Sequence, residues 1–476
     1  MMTQRLQVIL KVVGLIALAH FLFAPTQTLA QSFSPAQSDS LSLAEFQQRV
    51  LAAHPALRAA ALETDIADAE LQNAFGGFDP LFKGKYELKH KDDKDKFSTF
   101  DVGLELPIST FFGPRVSAGF KRAVGTDINP ENRTAENGEA SLGITLPLIQ
   151  GFATDRRRAA LSKAQLRPDL SAANQVQERN NLLRAASLKY WDWAESYSQL
   201  RIAENLLTIA SDRSRAIAVR SRRGENAAID SVEALLEVER RRGERYRAVR
   251  TAEQNTIDLS IFVWNQDGSP QPVAALPQAL PVTTLLTRVD EAQVQIDKAA
   301  AMMLRPEVRR VDVAQRSAQI DLGLAQELQR PLIEAQVQSL FSKFNNLTFS
   351  DYKASLTISQ PLLFRSASAT AQLAQISLQR TDFQRVQVER SVMADIDNAV
   401  SAMERAMERT QAAEREASLA DVMQRAERRR FEAGESTLLF VNLRERAAAE
   451  ALIRLATARA DYLRAITQYR WATGRI

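Results

Sequence analysis

The sequence contains no cysteine. That excludes a disulfide framework, a thiolate nucleophile, a Cys-ligated zinc site and a lipobox anchor. Histidine is nearly absent, with only His20, His54 and His90. A histidine metal site or triad would have to be built from these few, and His54 and His90 read as structural or exposed. Glycine and proline are sparse, 17 and 16 in 476 residues, which argues against a loop-rich or all-β chain and favours long helices. Beyond residues 1–30 no stretch approaches the ~18 apolar residues of a spanning helix. Mean hydropathy is −0.24, so a multi-span helical membrane protein is excluded. No nucleophile motif, phosphate loop or metal-ligand cluster occurs. An enzyme reading therefore has no support, and no cofactor or metal is implied.

What is present begins with charge. The 61 cations exceed the 57 acids by four and the pI is about 9.2. The charges are interleaved as on solvated helices, so nucleic acid is not the expected partner. Residues 1–30 carry Arg5 and Lys11, an apolar run from Val12 to Phe23, and Thr28-Leu29-Ala30. This reads as a secretory signal peptide cut after Ala30; the run is too short for a spanning anchor. An exported chain without membrane helices can still cross an outer membrane as a β-barrel.

The rest of the chain repeats itself. His54-Pro55-Ala56-Leu57-Arg58 matches Arg305-Pro306-Glu307-Val308-Arg309. Leu146-Pro147-Leu148-Ile149 matches Gln360-Pro361-Leu362-Leu363, and Arg223-Gly224-Glu225 matches Ala433-Gly434-Glu435. The halves agree except for about 37 extra residues before Pro147. The expected organisation is a first pseudo-repeat over 31–264, a proline-rich linker over 265–284, and a second over 285–476.

Each half changes period from helix to strand. Strict alternation covers about 81–149, with Phe82, Tyr86 and Leu88 opposite Lys83, Lys85 and Glu87, and about 333–362, with Lys353, Ser355 and Thr357 facing inward. Such dyad strands are the signature of a transmembrane barrel, although an ordinary half-buried sheet shares the pattern. Ser109–Pro114 reads as a short inner turn. Lys89–Lys96 and Gly125–Gly138 read as longer outer loops. Long helical, coiled-coil tracts follow, about 152–264 and 366–473, with Pro168 expected to interrupt the first.

Helix, strands, long helix, tip turn and return helix, repeated once, resemble the TolC family of outer-membrane efflux channels. The resemblance spans nearly the whole chain after residue 30. It is carried by Leu41-Ser42-Leu43-Ala44-Glu45, the two Pro-Leu junctions, Tyr190-Trp191-Asp192-Trp193-Ala194, and the Arg223-Gly224 and Phe431-Glu432-Ala433-Gly434 turns. It implies a mainly α fold with a transmembrane β-barrel, closed by a homotrimer in outer-membrane lipid, and a helical tunnel across the periplasm. It also implies docking of a periplasmic adaptor (membrane fusion) protein at the tips and an inner-membrane transporter beyond it. The function implied is an exit duct for a tripartite pump or type I secretion system; the alternative is a periplasmic coiled-coil scaffold without a pore. The first half holds four strands where the family commonly has two, so the added hairpin either joins the wall or projects from it.

Several residues follow as candidates. Pro147 and Pro361 lack an N–H and suit strand-to-helix junctions. Gly224 and Gly434 suit left-handed tip turns, and Asp230 either caps a helix or pairs with an arginine. Arg220, Arg222 and Arg223 precede the first turn, and Arg428, Arg429 and Arg430 the second. These cations either pair with Glu225, Glu427, Glu432 and Glu435 or form a basic ring. The family's best-known member narrows its entrance with acidic residues on the helix after the second tip. The matching stretch here is Phe440-Val441-Asn442-Leu443, which leaves Phe431, Phe440 and Leu443 as constriction candidates. Tyr190, Trp191, Trp193 and Tyr197 are expected to pack between helices. Arg156-Arg157-Arg158 either meets an anionic leaflet surface or is solvated.

Overall fold

Helix boundaries follow the local chemistry closely. The computed structural model describes residues 40–224, 227–271, 278–279, 286, 288, 290–341 and 351–476. The expected export signal, Glu225 and much of the 265–284 linker lie outside them. Leu41–Ile476 fold as one unit. Helix α1 (Leu43–Ala53) starts at a capping box, in which Ser42 accepts from the Glu45 amide and the Glu45 carboxylate from the Ser42 amide. Helix α2 (Pro55–Phe75) places Pro55 at its first position, where a missing N–H costs nothing. His54 caps it, its Nδ1 accepting from the Ala56 amide at 3.2 Å, and burial holds its pKa below the ordinary value. His54 is thus structural.

The first long tract is interrupted as expected. Helix α3 (Arg156–Ala164) ends before α4 (Arg167–Arg222) begins, and Pro168 sits in the first turn of α4. Helix α5 (Ala228–Ser260) returns. In the second half α6 (Glu291–Leu304) and α7 (Pro306–Glu327) mirror α1 and α2. Helix α8 (Arg365–Glu432) runs unbroken for 68 residues and α9 (Leu438–Ala472) returns. At ~1.5 Å per residue α8 is about 100 Å long.

The helices pack laterally in a fixed order. Near the strands α2 lies on α4, α4 on α7 and α7 on α8; further away α5 lies on α4, α4 on α9 and α9 on α8. Helices α2 and α5 therefore form one edge and α8 the other. Both edges leave apolar side chains exposed: Leu62 and Ile66 on α2, Ile229, Val232 and Leu236 on α5, and Leu373, Ile376, Phe383 and Val386 on α8.

The aromatic motif forms the core where these bundles meet. Tyr190 and Trp193 are buried with Phe46, Val50, Leu259 and Val263. The Tyr190 hydroxyl donates to the Leu41 carbonyl at 2.8 Å, and Trp193 Nε1 donates to Thr256 at 3.0 Å. Burial pushes the Tyr190 pKa up to about 12. An equivalent cluster, Val294, Ala301, Val308, Val392 and Ile396, serves the second half.

The strands of the main sheet among the described residues are β1 (Leu81–Lys91), β2 (Lys94–Pro107), β3 (Arg115–Gly125), β4 (Glu139–Pro147), β5 (Leu332–Phe341) and β6 (Tyr352–Ser359). They form one antiparallel sheet in chain order. The added hairpin therefore lies within the sheet and does not project from it. One expectation needs correction. Lys89–Lys96 is not a long loop, because β1 and β2 continue to a two-residue turn at Asp92–Asp93. Both turn residues have positive φ, 56° and 60°, the geometry that matches the twist of paired strands. His90 sits beside this turn, exposed, with Nδ1 2.7 Å from Asp95.

Candidate functional site

The register sorts the sheet into two unlike faces. Paired residues share a face, and one face reads Tyr86–Phe100, Phe82–Leu104, Leu104–Ala118, Ala118–Leu142, Ile144–Val337, Ala335–Leu356 and Ile333–Ile358. The other reads Lys85–Asp101, Gly103–Gly119, Gly119–Ser141, Gly143–Gln338 and Gln336–Ser355. A charged rung crosses this polar face: Lys83 meets Glu105 at 2.5 Å, and Arg115 meets Glu105 at 3.9 Å and Glu334 at 2.9 Å. The outer strands β1 and β6 are exposed at every residue, and each has one edge without a partner strand among the described residues.

At the junction Pro147 is the last residue of β4, opposite Glu334. Pro361 lies two residues past β6 and is exposed. Between sheet and helices the decisive residue is Arg158, whose side chain is only 10% exposed. It pairs with Asp155 at 2.9 Å. It also donates to the carbonyls of Thr110 (3.4 Å), Phe152 (3.1 Å), Ala153 (3.2 Å), Phe111 (2.5 Å) and Gly151. Asp155 caps α3, accepting from the Arg157 and Arg158 amides. One guanidinium thus ties the inner turn to the strand-to-helix link. The sequence reading grouped Arg158 with its neighbours and missed this; the Asp-x-x-Arg spacing at a helix start was the available signal. Arg156 and Arg157 are exposed.

The tips place the predicted turn residues as follows. Gly224 has φ 76° and Gly434 φ 80°, each just past a helix end, a backbone that L side chains adopt at a cost of roughly 1 kcal/mol or more. Asp230 lies in the first turn of α5, where a carboxylate meets the positive end of the helix. Arg220, Arg222 and Arg223 are exposed. On the second tip pairing is partial: Arg428 meets Glu432 at 3.2 Å, Arg430 meets Glu427 at 3.8 Å, and Arg425 meets Asp421 at 2.7 Å. Arg429 has no acid partner among the described residues.

The three constriction candidates separate. Phe431 packs with Ile217, Ala234 and Leu438 and so joins the two hairpins. Phe440 and Leu443 are half exposed on α9. Asn442, between them in sequence, points inward and is buried. It accepts from Arg213 at 2.7 Å, and Arg213 Nη1 meets Glu445 at 2.6 Å. This buried link between α4 and α9 was not legible, because Arg213 and Asn442 are not repeat-equivalent and only folding brings them together. Nearby Glu237 is buried against Arg241 at 2.9 Å, and burial nevertheless holds its pKa above the ordinary carboxylate value.

A two-faced sheet continuing into long helix hairpins is found in solved structures. The chain superposes on the open-state MtrE outer membrane channel of Neisseria gonorrhoeae with a TM-score of 0.65 at 16% identity, covering 91% of this chain and 88% of that one. The chain has the fold of the outer-membrane channels. The Vibrio cholerae outer membrane protein VceC gives a TM-score of 0.65 at 14% identity over 91% and 96%. The Campylobacter jejuni CmeC outer membrane channel gives 0.63 at 13% over 91% and 85%. No protein-family model and no curated protein matches the sequence. This mostly helical fold with an antiparallel sheet is the one the family resemblance implied.

Proposed function

We propose that the chain is one protomer of a homotrimeric outer-membrane channel, the passive exit duct of a tripartite efflux pump or type I secretion system. The observation that carries this is the pair of open edges on a sheet with one apolar and one polar face. Six strands are too few to close a water-filled barrel, since membrane barrels start at about eight strands. Their even number sets β1 and β6 antiparallel, so β6 of one copy can pair with β1 of the next without changing the ladder. Three copies give eighteen strands, with the apolar face to lipid and the polar face to water.

The exposed apolar stripes on α2, α5 and α8 continue the same two edges, and closing the ring covers them. The long helices then cross the periplasm, and the Asp92–Asp93 turn and the 126–138 loop face the exterior. A coiled-coil scaffold without a pore has no use for a sheet with two unlike faces. The tips, with Gly224, Asp230 and Gly434 shaping the turns, are the docking ends for a periplasmic adaptor and, beyond it, an inner-membrane transporter. Exposed Arg220, Arg222, Arg223 and Arg429 give them a basic rim that steers an acidic partner through long-range fields. Pro147 and Pro361 sit at the strand-to-helix junctions, Pro147 as the last residue of β4 with two further backbone bonds beyond it, from Leu148 to Ile333 and from Gln150 to Pro331. Phe440 and Leu443 are the apolar narrowing residues at the entrance.

The test is extraction. The chain should leave the outer-membrane fraction only in detergent, run as a trimer, and conduct ions in planar bilayers. A monodisperse, water-soluble monomer would sink the proposal.

A further inference from the structure

The polar face of the sheet and the helices beneath it share one wall. Arg115 and Glu334 line a hollow of about 560 Å³ together with Arg156 and Arg157. Arg157 also lies within electrostatic reach of Glu105 on the same face. The start of α3 therefore belongs to the polar side of the molecule. Adjoining it, α2, α3, α4 and α7 enclose an open groove of about 780 Å³. Arg156 and Arg157 line it again, with Lys163, Arg167 and Arg310, and Glu70 is the one acid in its described lining. Leu166, Leu170 and Val313 make part of the wall apolar.

Pairing within the groove leaves a surplus. Arg167 meets Glu70 at 2.7 Å and Lys163 meets Asp321 at 2.9 Å. Arg310 donates to the neutral side chain of Gln177. Arg156 and Arg157 have no acid partner among the described residues. Five cations against two acids leave three positive charges in excess on each chain. In a narrow aqueous passage with low-dielectric walls such charges focus the field and raise the local concentration of counter-ions.

We propose that Arg156 and Arg157, repeated around the trimer, form a cationic collar below the barrel that binds anionic amphipathic solutes and makes the conduit anion-preferring. This rests on the channel reading above. The ligand class is a carboxylate, sulfonate or phosphate carried on an apolar body: the guanidinium groups take the anion and the leucine-lined wall takes the body. A phospholipid headgroup shares the anion chemistry, but the groove opens on the polar side, away from the lipid-facing strands.

The experiment is the chloride-over-potassium permeability ratio of the reconstituted channel in bilayers of zwitterionic lipid. The wild type should exceed unity. R156Q/R157Q should lower the ratio about twofold or more, and R156K/R157K should keep it, because the effect is one of net charge. A wild-type ratio at or below one, or an unchanged ratio in the glutamine pair, overturns the collar while leaving the channel intact. Loss of the preference when phosphatidylglycerol is added assigns the site to a lipid headgroup and overturns the solute reading. If the glutamine pair does not insert, block of the wild type decides. Decanesulfonate should block at lower concentration than decyltrimethylammonium and lose potency in high salt; equal block overturns the collar. A folded trimer with no conductance at all overturns the channel reading itself.

Discussion

Replacing Arg158 with alanine isolates the junction between sheet and helices. The side chain is nine-tenths buried and serves one carboxylate and five backbone carbonyls. Its loss leaves Asp155 charged and half sheltered, and strands carbonyls that reach water only if the turn opens. Removing one partner of a buried ion pair costs about 3–5 kcal/mol. Each carbonyl left unsatisfied adds about 1–3 kcal/mol wherever water cannot enter. Opening of the turn caps the total, so ~3–5 kcal/mol is the working figure, or two to four decades in the equilibrium between docked and undocked turn. The readout is local. Phe111 and Phe112 are already exposed, so chymotrypsin cleavage there depends on turn mobility. R158A should be cut after these residues at least a hundredfold faster than the wild type. R158K should lie between, since an ammonium cannot reproduce the guanidinium fork. R157A, lost from an exposed position, should match the wild type. Equal cleavage of R158A and R157A would show that the turn holds without this guanidinium.

Gly434→Ala should cost the second tip about 1–2 kcal/mol through backbone strain alone, because a Cβ there would meet nothing within 4 Å; hydrogen exchange of Phe431–Leu438 amides reads it, and Gly434→Asn should recover most of the loss. Phe431→Ala should destabilise both hairpins by about 2–4 kcal/mol, whereas Phe440→Ala should leave stability unchanged; tip protease sensitivity separates them, and equal sensitivity would contradict the packing of Phe431 against Ile217 and Leu438. Tyr190 should be among the last of the tyrosines to ionise in a 295 nm titration, near pH 12. Since its folded pKa is raised above the ordinary value near 10, its contribution to stability is complete below pH 10 and lost as pH rises to 12, a loss that Tyr190→Phe should not show.

Much of the fold was legible because it rests on local rules. The alternation around Phe100–Leu106 needs a two-faced strand, and Ser42 as a cap and Pro55 at a first helical position fit helix starts. Repetition supplied more: Gly224 and Gly434, read together, point to two turns between long helices, where both have positive φ. The misses were of two kinds. Asp92–Asp93 looked like part of a charged loop, because a left-handed turn made of aspartates has no glycine to announce it. Arg158, Arg213 and Asn442 are polar residues used inside the structure. Their roles depend on partners brought close by folding, and side-chain type alone does not distinguish a solvated arginine from one that ties a turn to a helix. Phe431 and Phe440 carry the same side chain on the two helices that flank one turn. Only the direction of the helix face sends one inward and leaves the other half exposed.

On the channel reading proposed above, the two strand edges without a partner among the described residues also govern the life of the chain before assembly. On a lone copy, β1 and β6 with their eleven and eight residues turn roughly half of their backbone donors and acceptors outward, about nine of each paired set, with no water-free partner to take them. Such edges accept any extended segment, including one from a misaligned copy. Correct closure is then a race whose winning step depends on concentration, and whose losing step is irreversible clumping. On that reading the chain calls for either a factor that masks strand edges before assembly, or insertion fast enough that the first neighbour it meets is the right one.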